Sequence, residues 1–279
     1  METSRGLAIV TGASSGIGAA FARKLAVGEP HRGLPGFDEL WVVARRADRL
    51  DALAAELRAA APHLRVKMIA ADLSGGGNVK LLAAEAASAG APVRILVNNA
   101  GYGTYGDFSD VDMDRQLGQI DLNCRSLTES CWRFSPLLEG GSVVINVASL
   151  AAFAPLGGFA VYAASKAYAL SISVGIAAEW KQRRIKVCAL CPGPVQSEFA
   201  LVASAGARKE VKHGWPADKT VDACLRDAGR GRMISMPRSA WRLQRFFGWL
   251  VGPELSAAFA YRFMKRPHSA AAPAKQGPA

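Results

Sequence analysis

The stretch Leu7-Ala-Ile-Val-Thr11-Gly12-Ala-Ser-Ser-Gly16-Ile-Gly18 decides how this 279-residue chain is read. Its first five residues are mostly apolar or β-branched, the composition of a strand buried on both faces. Gly12, Gly16 and Gly18 follow, and from Gly16 the chain turns Ala-rich, predicting a helix through Val27. A strand, a glycine-rich turn and a helix start in that order can cradle a phosphate. Glycines let the backbone approach a pyrophosphate, and the helix N-terminus offers free N–H groups and the positive end of its dipole. A plain glycine-rich turn is the competing reading; the position directly between strand and helix favours the cradle.

The same rhythm continues outward. Strands are predicted at Glu39–Ala44, Arg65–Ala70, Arg94–Val97, Ser142–Val147 and Ile185–Leu190, with Met233–Met236 as a candidate seventh. Helices are predicted at Ala47–Ala60, Val79–Ala89, Asp112–Phe134 and Ala160–Gln182. Alternation of this kind implies an α/β fold, a doubly wound parallel sheet (Rossmann-like) with right-handed crossovers. The expected plan is a single domain over residues 1–236, a helical C-terminal extension over 237–266, and a disordered Ala- and Pro-rich tail over 267–279. Gly28–Asp38 reads as a surface loop.

Chemistry enters at Tyr162-Ala-Ala-Ser-Lys166. Residues four apart share one face of a helix, so a phenol and an ammonium lie side by side. A free tyrosine titrates near ~10, and a neighbouring cation favours its phenolate. The phenol then exchanges a proton with a carbonyl or alcohol oxygen, which the hydroxyl of Ser149 can hold. Taken alone the spacing also fits two residues on an ordinary amphipathic face.

Several motifs in fixed order remove that ambiguity. The Gly12-x-x-x-Gly16-x-Gly18 turn, Asn98-Asn99-Ala100-Gly101, Ser149, Tyr162 with Lys166, and Pro192-Gly193 resemble the short-chain dehydrogenase/reductase family over about residues 6 to 200. The resemblance implies a Rossmann-like fold, a nicotinamide dinucleotide, and hydride transfer to or from a carbonyl or secondary alcohol. It implies that Ser149, Tyr162, Lys166 and Asn123 are catalytic. Ser149 binds the substrate oxygen, Tyr162 donates or accepts its proton, and Lys166 holds the nicotinamide ribose and lowers the tyrosine pKa. Asn123 bends its helix and completes a proton relay through water; simple bending or solvation is the alternative for it. The same resemblance assigns cofactor contacts to Gly12, Ser14, Ser15, Gly16, Ile17 and Gly18, to Asp72 and Leu73, to Asn99, Ala100 and Gly101, to Tyr162 and Lys166, and to Pro192, Gly193, Val195 and Ser197. Asn98 braces the sheet end. Ser197 stands where the family usually has Thr, and for Asp72 an adenine contact competes with helix capping.

The end of the second strand discriminates between cofactors. An NAD site places a carboxylate there to hold the ribose hydroxyls. This chain has Val43-Ala44-Arg45-Arg46, two guanidiniums suited to a 2′-phosphate. NADP(H) is therefore expected, with Arg45 favoured as the contact and Arg46 divided between that role and solvation.

Composition narrows the rest. No run of eighteen apolar residues is present, and the N-terminus lacks the plan of a signal peptide, so a cytoplasmic protein is expected. The five scattered cysteines do not form a disulfide framework, and Cys188-Ala-Leu-Cys191 within a strand would face opposite sides of the sheet. The four dispersed histidines offer no metal site. Net charge is +11, and residues 206–279 carry most of it, with 14 Lys/Arg against 5 Asp/Glu. No nucleic-acid recognition motif accompanies that charge.

The substrate pocket is expected to be apolar, drawing on Leu150, Ala151, Phe153 and Pro155 and on Tyr102 and Tyr105, which suits a hydrophobic ketone, hydroxysteroid or oxoacyl compound. Phe199 to about Asp218 reads as a mobile lid carrying His213 and Trp215 as candidate contacts. Trp241–Val251 and Leu255–Arg266 read as two helices broken at Gly252-Pro253. Docking on the body is the plain reading for them, with cleft cover, a subunit contact or peripheral membrane attachment as alternatives. Homo-oligomerisation as dimer or tetramer, through the helices at 112–134 and 160–182, follows the family's habit. The rival function is a non-catalytic NADP(H)-sensing protein; the complete set of Ser149, Tyr162, Lys166 and Asn123 argues against it.

Overall fold

The computed structural model describes residues 6–28, 33–208, 214–264 and 266. His213 and the 267–279 tail lie outside the described residues.

Strands β1 (Leu7–Thr11), β2 (Glu39–Ala44), β3 (Arg65–Ala70), β4 (Val93–Asn98), β5 (Leu138–Val147), β6 (Lys186–Leu190) and β7 (Ile234–Ser235) form one parallel sheet in the order β3-β2-β1-β4-β5-β6-β7. The chain winds outward from β1 to β3, then returns to the other side of β1 at β4. Loops leaving β1 and β4 therefore diverge and open a crevice at the carboxyl ends of the strands. The fold is Rossmann-like and a single domain, as the alternating pattern predicts.

Helices cover both faces, which is why the inner strands are apolar at nearly every position. Ala8, Val10, Leu40, Val42, Val97 and Ile145 share one core with α1 (Gly16–Val27), α2 (Ala47–Ala60) and α8 (Ala217–Gly229). Leu7, Ile9, Trp41, Val43, Leu96 and Val144 pack on the other face with α3 (Asn78–Ser88), α5 (Ser126–Phe134) and α6 (Ala160–Trp180). Cys188 and Cys191 are fully buried in two different clusters, on opposite sides as the strand period requires.

Several elements differ from the sequence reading. Helix α8 was not anticipated, although Val221, Cys224, Leu225 and Ala228 give it a buried stripe against α1. The long helix predicted at 112–134 is α4 (Met113–Ile120), a π-turn over Asp121–Arg125, and α5, with Ser126 N–H reaching back five residues to Asp121 O. Within the expected lid, Phe199–Ala203 is a short helix, α7. Trp215 forms a parallel bridge with Val195 and packs between the cations of Lys219 and Arg238.

Helix α6 is apolar and long enough to cross a membrane by composition alone. It packs against β6 and the short turn at Leu150–Phe153, as a core helix does. The C-terminal helix α9 (Ser239–Phe263) breaks at Gly252, whose φ of 81° is left-handed and suits glycine, followed by Pro253. Only Trp241 and Ala260 of α9 are buried, so the pair of half-helices lies on the body without sinking into it.

Candidate active site

The site begins at the crevice between β1 and β4. Thr11, at the end of β1, donates its hydroxyl to Val97 O and accepts the N–H groups of Asn99 and Ala100 at 3.0 and 3.1 Å. Asn99 Nδ2 returns bonds to Thr11 O and Gly12 O. The glycine-rich turn and the Asn98–Gly101 turn are thereby fixed to each other. Gly18 is required by closeness, since a Cβ there would collide with the carbonyl oxygen of Gly12 and with Asn99 Nδ2. Asn98 is buried one layer down, where it donates to Asn146 Oδ1 at 2.9 Å and accepts from Ser130 at 2.7 Å, so it ties β4 to β5.

At the β2 end the two arginines part company. Arg46 lies against the turn, donating to Ser14 Oγ at 3.1 Å and Ser15 Oγ at 3.0 Å, and it pairs with Glu198 at 2.9 Å. Arg45 stands more exposed, 3.7 Å from the carboxylate of Asp72. The arginine that engages the turn is thus Arg46, whereas the sequence favoured Arg45 and left Arg46 divided between that contact and solvation. The Asp72 carboxylate accepts both the backbone N–H and the hydroxyl of Ser74, closing a local turn; the N-cap of α3 is Gly77, so Asp72 does not cap that helix. Burial opposes its charge, but those bonds and Arg45 hold its pKa below the ordinary value. Glu198 is likewise held low, chiefly by its bond from Arg46. Sequence reasoning missed Glu198, which lies 152 residues from its partner with no local motif to mark it.

The reacting end hangs on α6. Tyr162 and Lys166 are both buried on one helix face, the ammonium 5.7 Å from the phenol ring. Lys166 donates to Val147 O at 2.7 Å, at the end of β5, and Ser149 follows two residues later. The Ser149 hydroxyl accepts from Ala151 N–H at 3.1 Å and donates to Pro192 O at 3.5 Å. Burial pushes the Tyr162 phenol above its ordinary value, and the nearby Ser149 hydroxyl works the other way. Burial also pulls Lys166 down to about 8. The expected depression of the tyrosine by Lys166 does not appear: burial raises the phenol, and the ammonium is turned to Val147 O.

Asn123 sits in the π-turn, as the expected bend requires. Its Oδ1 accepts from Tyr102 N–H, and its Nδ2 donates to Tyr102 O and to Ser165 Oγ at 2.9 and 3.0 Å. The π-turn thus grips the segment just after Gly101 and braces α6 at the residue next to Lys166. Phe159 stacks on Tyr162 with ring centres 4.2 Å apart, and Tyr105 and Phe199 complete an aromatic surround that the sequence reading found only in part.

These groups share one cavity of about 1370 Å³. It is lined by Gly12, Ser14, Ser15, Gly16 and Ile17, by Arg45, Arg46, Asp72 and Leu73, by Asn99, Ala100 and Gly101, by Ser149, Tyr162 and Lys166, and by Pro192, Gly193, Val195 and Ser197. Gly18 and Asn123 lie behind this wall. Leu150, Ala151, Phe153, Tyr102 and Tyr105 line it as expected, whereas Pro155 and Trp215 do not. Both halves of α9 form its far side through residues such as Phe247, Val251, Leu255 and Phe259, so of the roles weighed for this segment, cleft cover is the one that the cavity displays.

Backbone glycines, serine hydroxyls and a guanidinium pair at one end suit a dinucleotide by chemistry and by room. A short-chain dehydrogenase from Sphingobium yanoikuyae, solved in complex with NADPH, superposes with a TM-score of 0.75 at 29% identity, covering 89% of this chain and 94% of that one. The bulky-bulky ketone specific alcohol dehydrogenase from Comamonas testosteroni gives 0.72 at 26% identity, covering 93% and 99%. A serine 3-dehydrogenase from Rhizobium radiobacter is 31% identical over 207 residues, 72% of this chain and 76% of that protein. The short chain dehydrogenase model matches residues 6–207, from the approach to β1 to just beyond α7. With the matched span enclosing the glycine-rich turn and Ser149, Tyr162 and Lys166, the chain belongs to the short-chain dehydrogenase family of oxidoreductases.

Proposed function

We infer that the protein is an NADP(H)-dependent oxidoreductase that transfers a hydride between the cofactor and a carbonyl or secondary alcohol of a hydrophobic substrate. The observation that carries this is the single cavity joining Arg46 and the glycine-rich turn to Ser149, Tyr162 and Lys166. The NADPH complex of the Sphingobium relative and the ketone specificity named for the Comamonas relative support it.

NADP(H), when bound, supplies or takes the hydride; the protein's share is orientation and proton handling. Ser14, Ser15, Arg46 and Arg45 would hold the adenosine end and its 2′-phosphate, with Asp72 and Leu73 beside the adenine. Asn99–Gly101, Pro192, Gly193, Val195 and Ser197 would flank the nicotinamide half. In reduction, Ser149 holds the substrate oxygen, Tyr162 Oη donates the proton, and the Lys166 charge stabilises the phenolate left behind. Asn123 keeps the π-turn in place and positions the relay toward Lys166. Burial that keeps Tyr162 protonated suits it as the acid of the reductive direction.

The reading implies a cytoplasmic setting, an extension at 237–266 that serves as the far wall of the substrate end, and assembly through α4, α5 and α6. The test is to follow NADPH and NADH absorbance against a panel of bulky ketones, steroids and oxoacyl compounds. Turnover with NADPH favoured over NADH is the expected result. Stoichiometric NADPH binding without oxidation across the panel would instead favour a cofactor-sensing protein.

A further inference from the structure

The cavity is one space with two electrostatic characters. Its carboxylates, Asp72 and Glu198, both belong to the cofactor end. Past Tyr162 the lining is apolar and aromatic, yet it carries the guanidiniums of Arg208, Arg245, Arg262 and Arg266 with no Asp or Glu among them.

Two of these cations lie one ring away from the reacting groups. Arg245, on the first half of α9, sits over Phe153 at 4.4 Å, in the turn that Ser149 begins. Arg266, just beyond the second half, sits 5.4 Å from the ring of Phe159, which itself stacks on Tyr162. Arg266 donates to Gly157 O at 2.7 Å and to Met264 Sδ at 3.8 Å. Among the described residues, neither Arg245 nor Arg266 forms an ion pair with a carboxylate, although twelve other pairs form elsewhere in the chain. Burial lowers the Arg266 pKa below the usual guanidinium value.

Arg266 is half-buried against this lining and loses part of its hydration, which an anion or another strong acceptor restores, whereas Arg245 stays exposed and is held at the lining by the Phe153 ring. Arginine is the side chain shaped to grip a carboxylate by two parallel bonds. The aliphatic and aromatic residues between the two arginines, Phe247, Val251, Leu255 and Phe259 among them, would enclose an apolar body.

Building on the oxidoreductase reading, we propose that the substrate is an amphipathic oxo- or hydroxy-acid. Its reacting oxygen meets Ser149 and Tyr162, its apolar body lies along α9, and a carboxylate remote from the reacting carbon is held by Arg245 and Arg266. The arginines thus act as specificity determinants and take no part in proton transfer.

The experiment compares a medium-chain oxo acid with its methyl ester as substrates for NADPH oxidation, in the wild type and in Arg245→Gln and Arg266→Gln. A charge-assisted pair corresponds to a preference of about 10–100-fold. The wild type should therefore show at least that advantage in kcat/KM for the acid, and each variant should lose most of it, mainly through KM. An acid used no better than its ester, or a preference that survives both substitutions, overturns the proposal while leaving the oxidoreductase reading intact if the ester is reduced. If neither compound is reduced, decanoate binding measured by quenching of tryptophan fluorescence decides the anion site separately. Saturable binding by the wild type, weakened about tenfold or more in the variants and absent for 1-decanol, upholds it. Equal binding of decanoate and decanol refutes it.

Discussion

At the scale of single residues, the site is a competition between desolvation and pairing at Tyr162 and Lys166. Burial dominates for both, raising the phenol and lowering the ammonium to about 8. Tyr162→Phe removes the phenol hydroxyl beside Ser149 and keeps the ring that stacks on Phe159. Turnover should fall by about 10²–10⁴-fold, while NADPH binding, read by titration of cofactor fluorescence, stays within a few-fold of wild type. Near-normal turnover would sink the assignment. Lys166 gives the pH dependence. The phenolate left after proton donation needs the cation, so kcat for reduction should decline as pH rises through about 8. In Lys166→Arg the guanidinium keeps its charge, so that alkaline limb should vanish even if the overall rate is lower. Stability moves the opposite way. The folded chain holds fewer protons on Lys166 than the unfolded chain between about 8 and the ordinary value of 10.5, so this group's contribution to stability grows as pH rises through that window. A rate profile flat to pH 10 in the wild type would contradict the assignment.

At the scale of elements, the proposed preference for NADP(H) rests on the junction where β2 hands over to α2. Arg45 and Arg46 are adjacent in sequence but diverge, because Arg46 is the N-cap position of α2 and points back to the turn while Arg45 points toward Asp72. Glu198, from the residue before α7, competes for the Arg46 guanidinium. Arg46→Gln should raise KM for NADPH by about tenfold, the low end for charge-assisted bonds at a half-exposed site, with little change for NADH. Glu198→Gln should lower KM for NADPH by a few-fold, because it frees a guanidinium for the phosphate. A rise instead would show that Glu198 orients Arg46 for binding. The strands β1 to β3 and helices α1 and α2 were legible to the residue because apolar runs buried on both faces, punctuated by glycine, leave few alternatives. So were Tyr162, Lys166 and Ser149, whose spacing follows from one helix and one strand end. What sequence did not reveal depends on distant partners. Glu198 meets Arg46 only through tertiary folding, Phe159 and Phe199 converge on Tyr162 from separate segments, and the α9 arginines reach the cavity from the last quarter of the chain. Helix α8 is the exception, since its stripe of Val221, Cys224, Leu225 and Ala228 was there to be read.

At the scale of the whole molecule, two faces leave large apolar side chains in contact with solvent. One is α9, with Phe246, Trp249, Leu250 and Phe263 exposed. The other is formed by α4, α5 and α6, where Leu117, Ile120, Trp132 and Tyr168 are exposed and the Thr128 and Tyr168 hydroxyls, 2.6 Å apart, join the helices. Charge separates their roles. Residues 238–266 carry six Lys/Arg against Glu254 alone, so burying that face against a copy of itself would set like charges together. Residues 112–134 carry four acids and three bases, nearly neutral, and a twofold contact there repels little. The protein should therefore assemble through α4, α5 and α6, with a light-scattering mass of two or four times 29.4 kDa at micromolar concentration. Trp132→Glu combined with Tyr168→Glu should shift it toward monomer, since a desolvated carboxylate in such a contact costs several kcal/mol. Phe246→Glu combined with Trp249→Glu, on the outer face of α9, should leave the mass unchanged. A monomeric wild type, or dissociation by the α9 pair and not by the α5–α6 pair, would place the interface elsewhere or remove it.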